Sequence, residues 1–150
     1  MKELQGHTHL IICFDGGCEP NPGPAAIGIV FYDHHRQRLA TFSKRLGILT
    51  NNEAEYHALT KALQIAKDAG ATHVAIYGDS QLVINQVKGI WKCSAANLVA
   101  HCRSAKRLKQ SFTVCKLFWM AREKNAVADR LASQALGRTV GPIEEHIPYG

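Results

Sequence analysis

No stretch of this 150-residue chain is long and apolar enough to cross a membrane. The opening Met1-Lys2-Glu3-Leu4-Gln5-Gly6 is too short and too polar for a secretory leader. Both absences point to a cytoplasmic protein. Five cysteines occur, at 13, 18, 93, 102 and 115, yet no two form a CxxC pair. An odd count without a leader argues against a disulfide framework. Cys13 and Cys115 lie in apolar runs and read as small core residues. The eight histidines offer no metal set: His7 and His9 form an HxH pair without a third ligand, and His34-His35 reads as an exposed turn. There is no internal repeat.

Acid is also missing from one long region. Between Ser80 and Arg122 there is no Asp or Glu, while Lys88, Lys92, Arg103, Lys106, Arg107, Lys109, Lys116 and Arg122 all fall there. The formal net charge is +6, and all twelve acids lie outside this region. A basic flank beside a separate set of acids suits a polyanion that meets metal at its centre. The competing reading is a solvated basic helix face with no partner.

What the chain does have is a clear α/β order. The length suits one domain, residues 1–150, with a core over 9–137. An apolar strand is expected over 9–15, then a turn-rich loop over 16–24. Strands follow over 26–33 and 38–46, joined by a turn at 34–37. Helical periodicity covers 50–69, with Thr50 and Glu53 spaced as a capping box. A strand over 73–79, a short helix over 80–88 and a helix over 95–110 come next. The chain then forms a strand over 115–121 and a last helix over 125–136, with Asn125 as its N-cap and Gly137 as its stop. The expected fold class is α/β: a five-stranded mixed sheet flanked by helices, three strands antiparallel and then two parallel. The tail over 138–150 is either irregular and free or laid along the sheet.

Four acids stand at the edges of apolar elements rather than in charged runs. Asp15 and Asp79 close apolar strands; Glu55 and Asp129 fall near helix starts. Carboxylates gathered at the ends of buried elements repel one another unless a cation collects them. Oxygen ligands imply a hard divalent ion, and hence metal-assisted chemistry on phosphate. Helical spacing aims Glu55 inward with Leu59, Ala62 and Ala66, whereas Glu53 shares a polar face with His57, Thr60 and Gln64. Any one of these acids could simply suit a helix N-terminus; four converging on one sheet edge make that reading improbable.

The blocks around these acids resemble the type 1 ribonuclease H family. Phe14-Asp15-Gly16-Gly17 through Pro24 looks like its first motif, and Thr50-Asn51-Asn52-Glu53-Ala54-Glu55 like its second. Gly78-Asp79-Ser80 looks like the third, and Arg122 through Ala132, with Asp129, like the last. They occur in family order across residues 9 to 136. The resemblance implies a ribonuclease H-like fold and endonucleolytic cleavage of the RNA strand of RNA–DNA hybrids, leaving 5′-phosphate and 3′-hydroxyl ends. It implies two ions, Mg2+ or Mn2+, held by Asp15, Glu55, Asp79 and Asp129. Asn21, Asn51 and Asn52 would read the minor groove of the hybrid, since an amide both donates to and accepts from a 2′-hydroxyl. Thr50 would help hold a DNA-strand phosphate.

Two departures narrow the resemblance. A basic, tryptophan-bearing protrusion is absent or reduced, with only Trp91-Lys92 ahead of a single helix. Arg122 stands in the place of a loop histidine, as in a compact subgroup of the family. It cannot serve as a base, but it can hold a phosphate. Lys88 and Lys92 are the bases expected to meet substrate. Phe118 and Trp119 read as packing residues more than as base-stacking platforms. The expected protein is a monomer. The alternatives are an enzyme that also cleaves double-stranded RNA, a non-catalytic hybrid-binding module, and a same-fold domain cut from a reverse transcriptase or transposase.

Overall fold

The computed structural model describes residues 1–150. Strand β1 (His9–Cys18) pairs antiparallel with β2 (Gly23–Tyr32), and β2 with β3 (Arg38–Leu49). Helix α1 (Asn51–Asp68) then crosses over to β4 (His73–Gly78), which lies parallel to β1. Helices α2 (Gln81–Val87) and α3 (Val99–Lys109) lead to β5 (Val114–Trp119), parallel to β4. Helix α4 (Ala126–Ala135) follows. The sheet order is β3-β2-β1-β4-β5, the mixed arrangement expected from hairpins followed by a crossover.

Each face of the sheet is buried differently. Leu10, Ile12 and Phe14 of β1 join Ile27, Ile29 and Phe31 of β2 beneath the apolar stripes of α1 and α3, in a core of 27 buried residues. Burying one such side chain contributes about 1.5–3 kcal/mol, so this face dominates stability. The alternate residues Ile11, Cys13, Val30 and Tyr32 form a smaller cluster with Val127 of α4. A continuous apolar run in β1 was the sequence signature of this double coverage.

The tail lies along that second face. Ile143 and Ile147 pack on the smaller cluster. Tyr32 Oη donates to Glu145 Oε2 at 2.8 Å, and Arg38 Nη2 meets the same oxygen at 2.5 Å. Arg36 Nε donates to the Ile147 carbonyl, and its guanidinium lies 4.1 Å from the centroid of the Tyr149 ring.

Two expectations change. Residues 16–18 are not loop: β1 continues through Cys18, which pairs with Ala25, and the turn shrinks to the residues around Pro20 and Pro22. Gly16 is there for close approach, not for turning. A Cβ on Gly16 would stand 2.2 Å from the Ala54 carbonyl oxygen. Asn125 does precede α4, but its side chain makes no cap hydrogen bond; it is used elsewhere.

Candidate active site

The site forms where β1, β4 and the N-terminal halves of α1 and α4 meet. Asp15 lies inside β1, opposite Gly28 of β2. Strand alternation puts it on the α4 side with Ile11 and Cys13. Gly28 is why α4 can come so near: a Cβ there would stand 2.3 Å from the Ala128 carbonyl oxygen and 2.7 Å from Ala132 N. That contact seats the helix turn bearing Asp129 over the strand bearing Asp15. Glu55 reaches in from the other layer. Thr50 caps α1 by accepting from Glu53 N at 3.2 Å, while Glu53 Oε1 accepts from Thr50 N at 2.9 Å. With Glu53 spent on the cap, Glu55 faces the sheet and accepts from Gly16 N at 2.7 Å.

Ligand oxygens of Asp15, Glu55 and Asp79 all lie within 4.8 Å of one another. Asp129 lines the same cleft but stands outside that group of three, with Oδ1 3.9 Å from Arg122 Nη2. The cleft encloses about 380 Å³ and is also lined by Asn51, Asn52 and Ser80. Its electrostatics are strained. Burial, then the Glu55 charge, hold Asp15 well above the usual carboxylate range. Burial also raises Glu55, although hydrogen bonds from Asp15 and Gly16 N–H pull the other way. Asp79 is raised by burial against the hydrogen bond from Asn125. Glu55 Oε2 is buried with no hydrogen-bond partner. Three crowded carboxylates and one orphaned oxygen are what a hard cation relieves.

The other expected residues divide. Asn51 and Asn52 line the cleft, and Arg122 stands exposed at its rim. Asn21 acts indirectly, its Oδ1 accepting from Asn51 N at 3.0 Å. Asn51 Oδ1 is itself committed to Cys18 N–H at 3.1 Å, so only its amide nitrogen is free to face a ligand. Thr50 serves the cap and does not line the cleft. Lys88 and Lys92 do not line it either. Lys88 shares a separate groove with Lys106 and Lys109, at the far end of α2 from Asp79.

Three residues were not singled out for this site. Asn125, 2 % exposed, donates from Nδ2 to Asp79 Oδ2 and to the Phe14 carbonyl, each at 2.9 Å. Its backbone carbonyl accepts from Asp129 N at 3.1 Å. One asparagine thus touches the strand of Asp15, the carboxylate of Asp79 and the backbone of Asp129. A polar residue before a helix gives the same sequence signal whether it caps or braces. Trp119 was expected to pack; it is 48 % exposed, and its Nε1 donates to the Asp79 carbonyl at 3.1 Å. Arg138 lines the cleft and pairs with Glu19 across it; nothing in a tail without periodicity could have marked it.

The model of the reverse transcriptase-like family matches residues 13–135. The chain is 38 % identical over 123 residues to ribonuclease HI of Halobacterium salinarum, covering 82 % of this chain and 62 % of that one. The crystal structure of ribonuclease H1 from that archaeon superposes with a TM-score of 0.84 at 36 % identity, covering 86 % of this chain and 98 % of the other. The N-terminal ribonuclease H domain of Rv2228c from Mycobacterium tuberculosis gives 0.82 at 37 % identity, covering 87 % and 94 %. LC11 ribonuclease H1, solved in complex with an RNA/DNA hybrid, gives 0.80 at 34 %, covering 85 % and 96 %. The fold and its acidic cleft thus define a domain of the ribonuclease H type. The chain belongs to the type 1 ribonuclease H family. It spans only about a third of the full bifunctional protein Rv2228c, at 35 %.

Proposed function

We propose that this chain is an endoribonuclease that hydrolyses the RNA strand of RNA–DNA hybrids, leaving 5′-phosphate and 3′-hydroxyl ends. The observation that carries the reading is the convergence of Asp15, Glu55 and Asp79 in one cleft, with Asp129 on its wall. The donor set is all carboxylate oxygen, which fits Mg2+ or Mn2+ over softer ions. A pair of such ions, held by these four residues, would supply Lewis acidity toward the scissile phosphate. The intact acid set argues against a module that only binds.

The chain's own residues supply the rest. Asp15 and Glu55 lie in the buried floor and present their carboxyl oxygens to the cleft, where a bound cation would favour their charged form. Asn125 fixes the Asp79 carboxylate, so that it does not turn toward solvent. Asn52, exposed and free of internal hydrogen bonds, has both amide atoms for a 2′-hydroxyl. Asn51 contributes Nδ2. Arg122 offers a planar fork to a phosphate oxygen. Asn21 and Thr50 hold the α1 N-terminus in place, and Lys88 and Lys92 extend the basic surface beyond the cleft. The reading takes residues 1–150 as one domain acting as a cytoplasmic monomer, and no helix is long and apolar enough to cross a membrane.

Double-stranded RNA is the second substrate to test, because 2′-hydroxyl readout alone does not reject it. Cleavage of hybrid, double-stranded RNA and double-stranded DNA is measured side by side with magnesium. The expected result is cleavage of the hybrid and none of the DNA. No magnesium- or manganese-dependent cleavage of hybrid would overturn the reading.

A further inference from the structure

One wall of the cleft is a face of α4. Asp129, Ala132, Ser133 and Leu136 line it at the i, i+3, i+4 and i+7 spacing of a single helical stripe. From Asp129 to Leu136 the stripe runs about 10 Å at 1.5 Å per residue, or about three nucleotide steps of 3.4 Å. A duplex in the cleft therefore carries phosphates along α4 beyond Arg122, which stands beside Asp129.

Arg138 stands at the far end of that wall, and its backbone is fixed there. Helix α4 closes in a Schellman motif: Gly137 takes a φ of +83°, its N–H donates to the Gln134 carbonyl at 2.9 Å, and Arg138 N–H donates to the Ser133 carbonyl at 3.1 Å. Further along, the tail has its own anchors. Ile143 and Ile147 pack on the smaller core cluster, and Glu145 is held by Tyr32 and Arg38. The Arg138 side chain is thus not needed to hold the tail, and it lines the cleft instead.

Arg122 and Arg138 are the only bases lining the cleft, against five acids. A metal pair would account for four of these. The fifth, Glu19, lies outside that set, on the turn between β1 and β2, where its N–H donates to the Pro24 carbonyl at 3.2 Å. Its carboxylate pairs with Arg138, and the two side chains are 71 % and 42 % exposed. An ion pair this open to solvent holds weakly. A guanidinium meeting a phosphate makes two charge-assisted bonds at once. A phosphate oxygen can therefore take the place of the Glu19 carboxylate.

We propose that Arg138 is a second phosphate-binding arginine of the cleft, and that Glu19 holds it as a latch until a duplex enters. The inference rests on the hybrid-cleaving function proposed above. The guanidinium leaves Glu19 for a phosphate passing the C-terminal end of α4, while Arg122 serves the end beside Asp129. Because the contact is to the backbone, it adds affinity and register without choosing RNA over DNA.

The test is binding of labelled hybrid across a salt series in chelator, where the hybrid stays intact, with KM and kcat measured separately in magnesium. Arg138→Gln should weaken binding and raise KM roughly tenfold with kcat little changed. It should also flatten the salt slope by about one unit, and double-stranded DNA should lose affinity in the same proportion. Glu19→Gln should tighten binding about threefold by opening the latch. Arg138→Lys should restore the slope. Arg138→Gln combined with Glu19→Gln separates a phosphate contact from simple neutralisation of Glu19: the flattened slope should persist. An unchanged slope in Arg138→Gln overturns the inference, and so does a double variant that regains wild-type slope and affinity. Wild type that binds hybrid, shows these slope changes and yet fails to cleave overturns the hydrolytic reading alone.

Discussion

Asn125 Nδ2 lies 2.9 Å from Asp79 Oδ2, and this bond ties the start of α4 to the end of β4. The same nitrogen also donates to the Phe14 carbonyl. Asn125→Ala would leave that buried carbonyl without its donor, at a cost of about 1–3 kcal/mol. It would also release Asp79 to rotate. The expected outcome is a lower Tm together with a fall in hybrid cleavage larger than the stability loss explains at working temperature. Asn125→Asp is the sharper variant: it keeps the shape but adds a carboxylate beside Asp79. It should lose activity while folding better in the presence of magnesium than without it. Unchanged cleavage by both variants would remove Asn125 from the site.

Removing one charge from the acid cluster should cost turnover and add stability. Asp15→Asn and Asp79→Asn are expected to reduce cleavage by roughly 10³-fold or more, the scale of a lost metal or electrostatic contribution. The pH dependence has a definite sign. Asp15, Glu55 and Asp79 are all raised in the folded protein. Their contribution to stability is therefore fully present below the ordinary carboxylate range and is lost as pH rises through the raised values. In chelator, Asp15→Asn should match wild type in acid and exceed it near neutral pH, by thermal melts across that range. Magnesium should narrow the gap by stabilising only the wild type.

Two glutamates two residues apart should behave oppositely. Glu55→Gln keeps an acceptor for Gly16 N–H, so the fold should persist while activity is lost. Glu53→Gln should retain activity and cost helix stability of about 1 kcal/mol or less. The Thr50 N–H and hydroxyl hold Glu53 below its usual range. Its stabilising contribution is thus present above the ordinary carboxylate value and fades as pH falls through the lowered one. Denaturant melts and cleavage rates on both variants check the ranking.

Substrate choice and substrate affinity should separate. Asn52→Ala is expected to reduce hybrid cleavage strongly with little change in the salt slope of binding. Asn51→Ala should do the same but also loosen the β1–α1 junction, because its carbonyl oxygen holds Cys18 N–H. Lys106→Glu with Arg107→Glu should lower affinity and flatten the salt slope by about one unit per lost phosphate contact. Lys88 now groups with Lys106 and Lys109 rather than with the cleft. Its loss should therefore matter for long duplexes more than short ones, measured by binding across duplex lengths.

The elements, their order and the inward acid of α1 were legible in the order of residues alone. Those depend on local periodicity and on capping chemistry, which act within a few residues: the Thr50–Glu53 box and the positive φ of +83° at Gly137 both follow from neighbours. That order also showed which acids were out of place in apolar surroundings. How close those elements come was not legible there, because it is set by packing between residues remote in the chain. Gly16 and Gly28 looked like turn and strand residues, yet each exists to admit a helix backbone within contact distance of the sheet. Asn125 looked like a cap because its true partners, Phe14 and Asp79, are remote in the chain. The tail had no periodicity because it is held by single contacts to residues remote in the chain, Glu145 by Tyr32 and Arg38 and the Ile147 carbonyl by Arg36. Side-chain identity and spacing encode local conformation; the pairing of His9 with His73, or the meeting of Asp15 with Glu55 and Asp79, depends on sheet register and helix docking, which are properties of the whole packed chain.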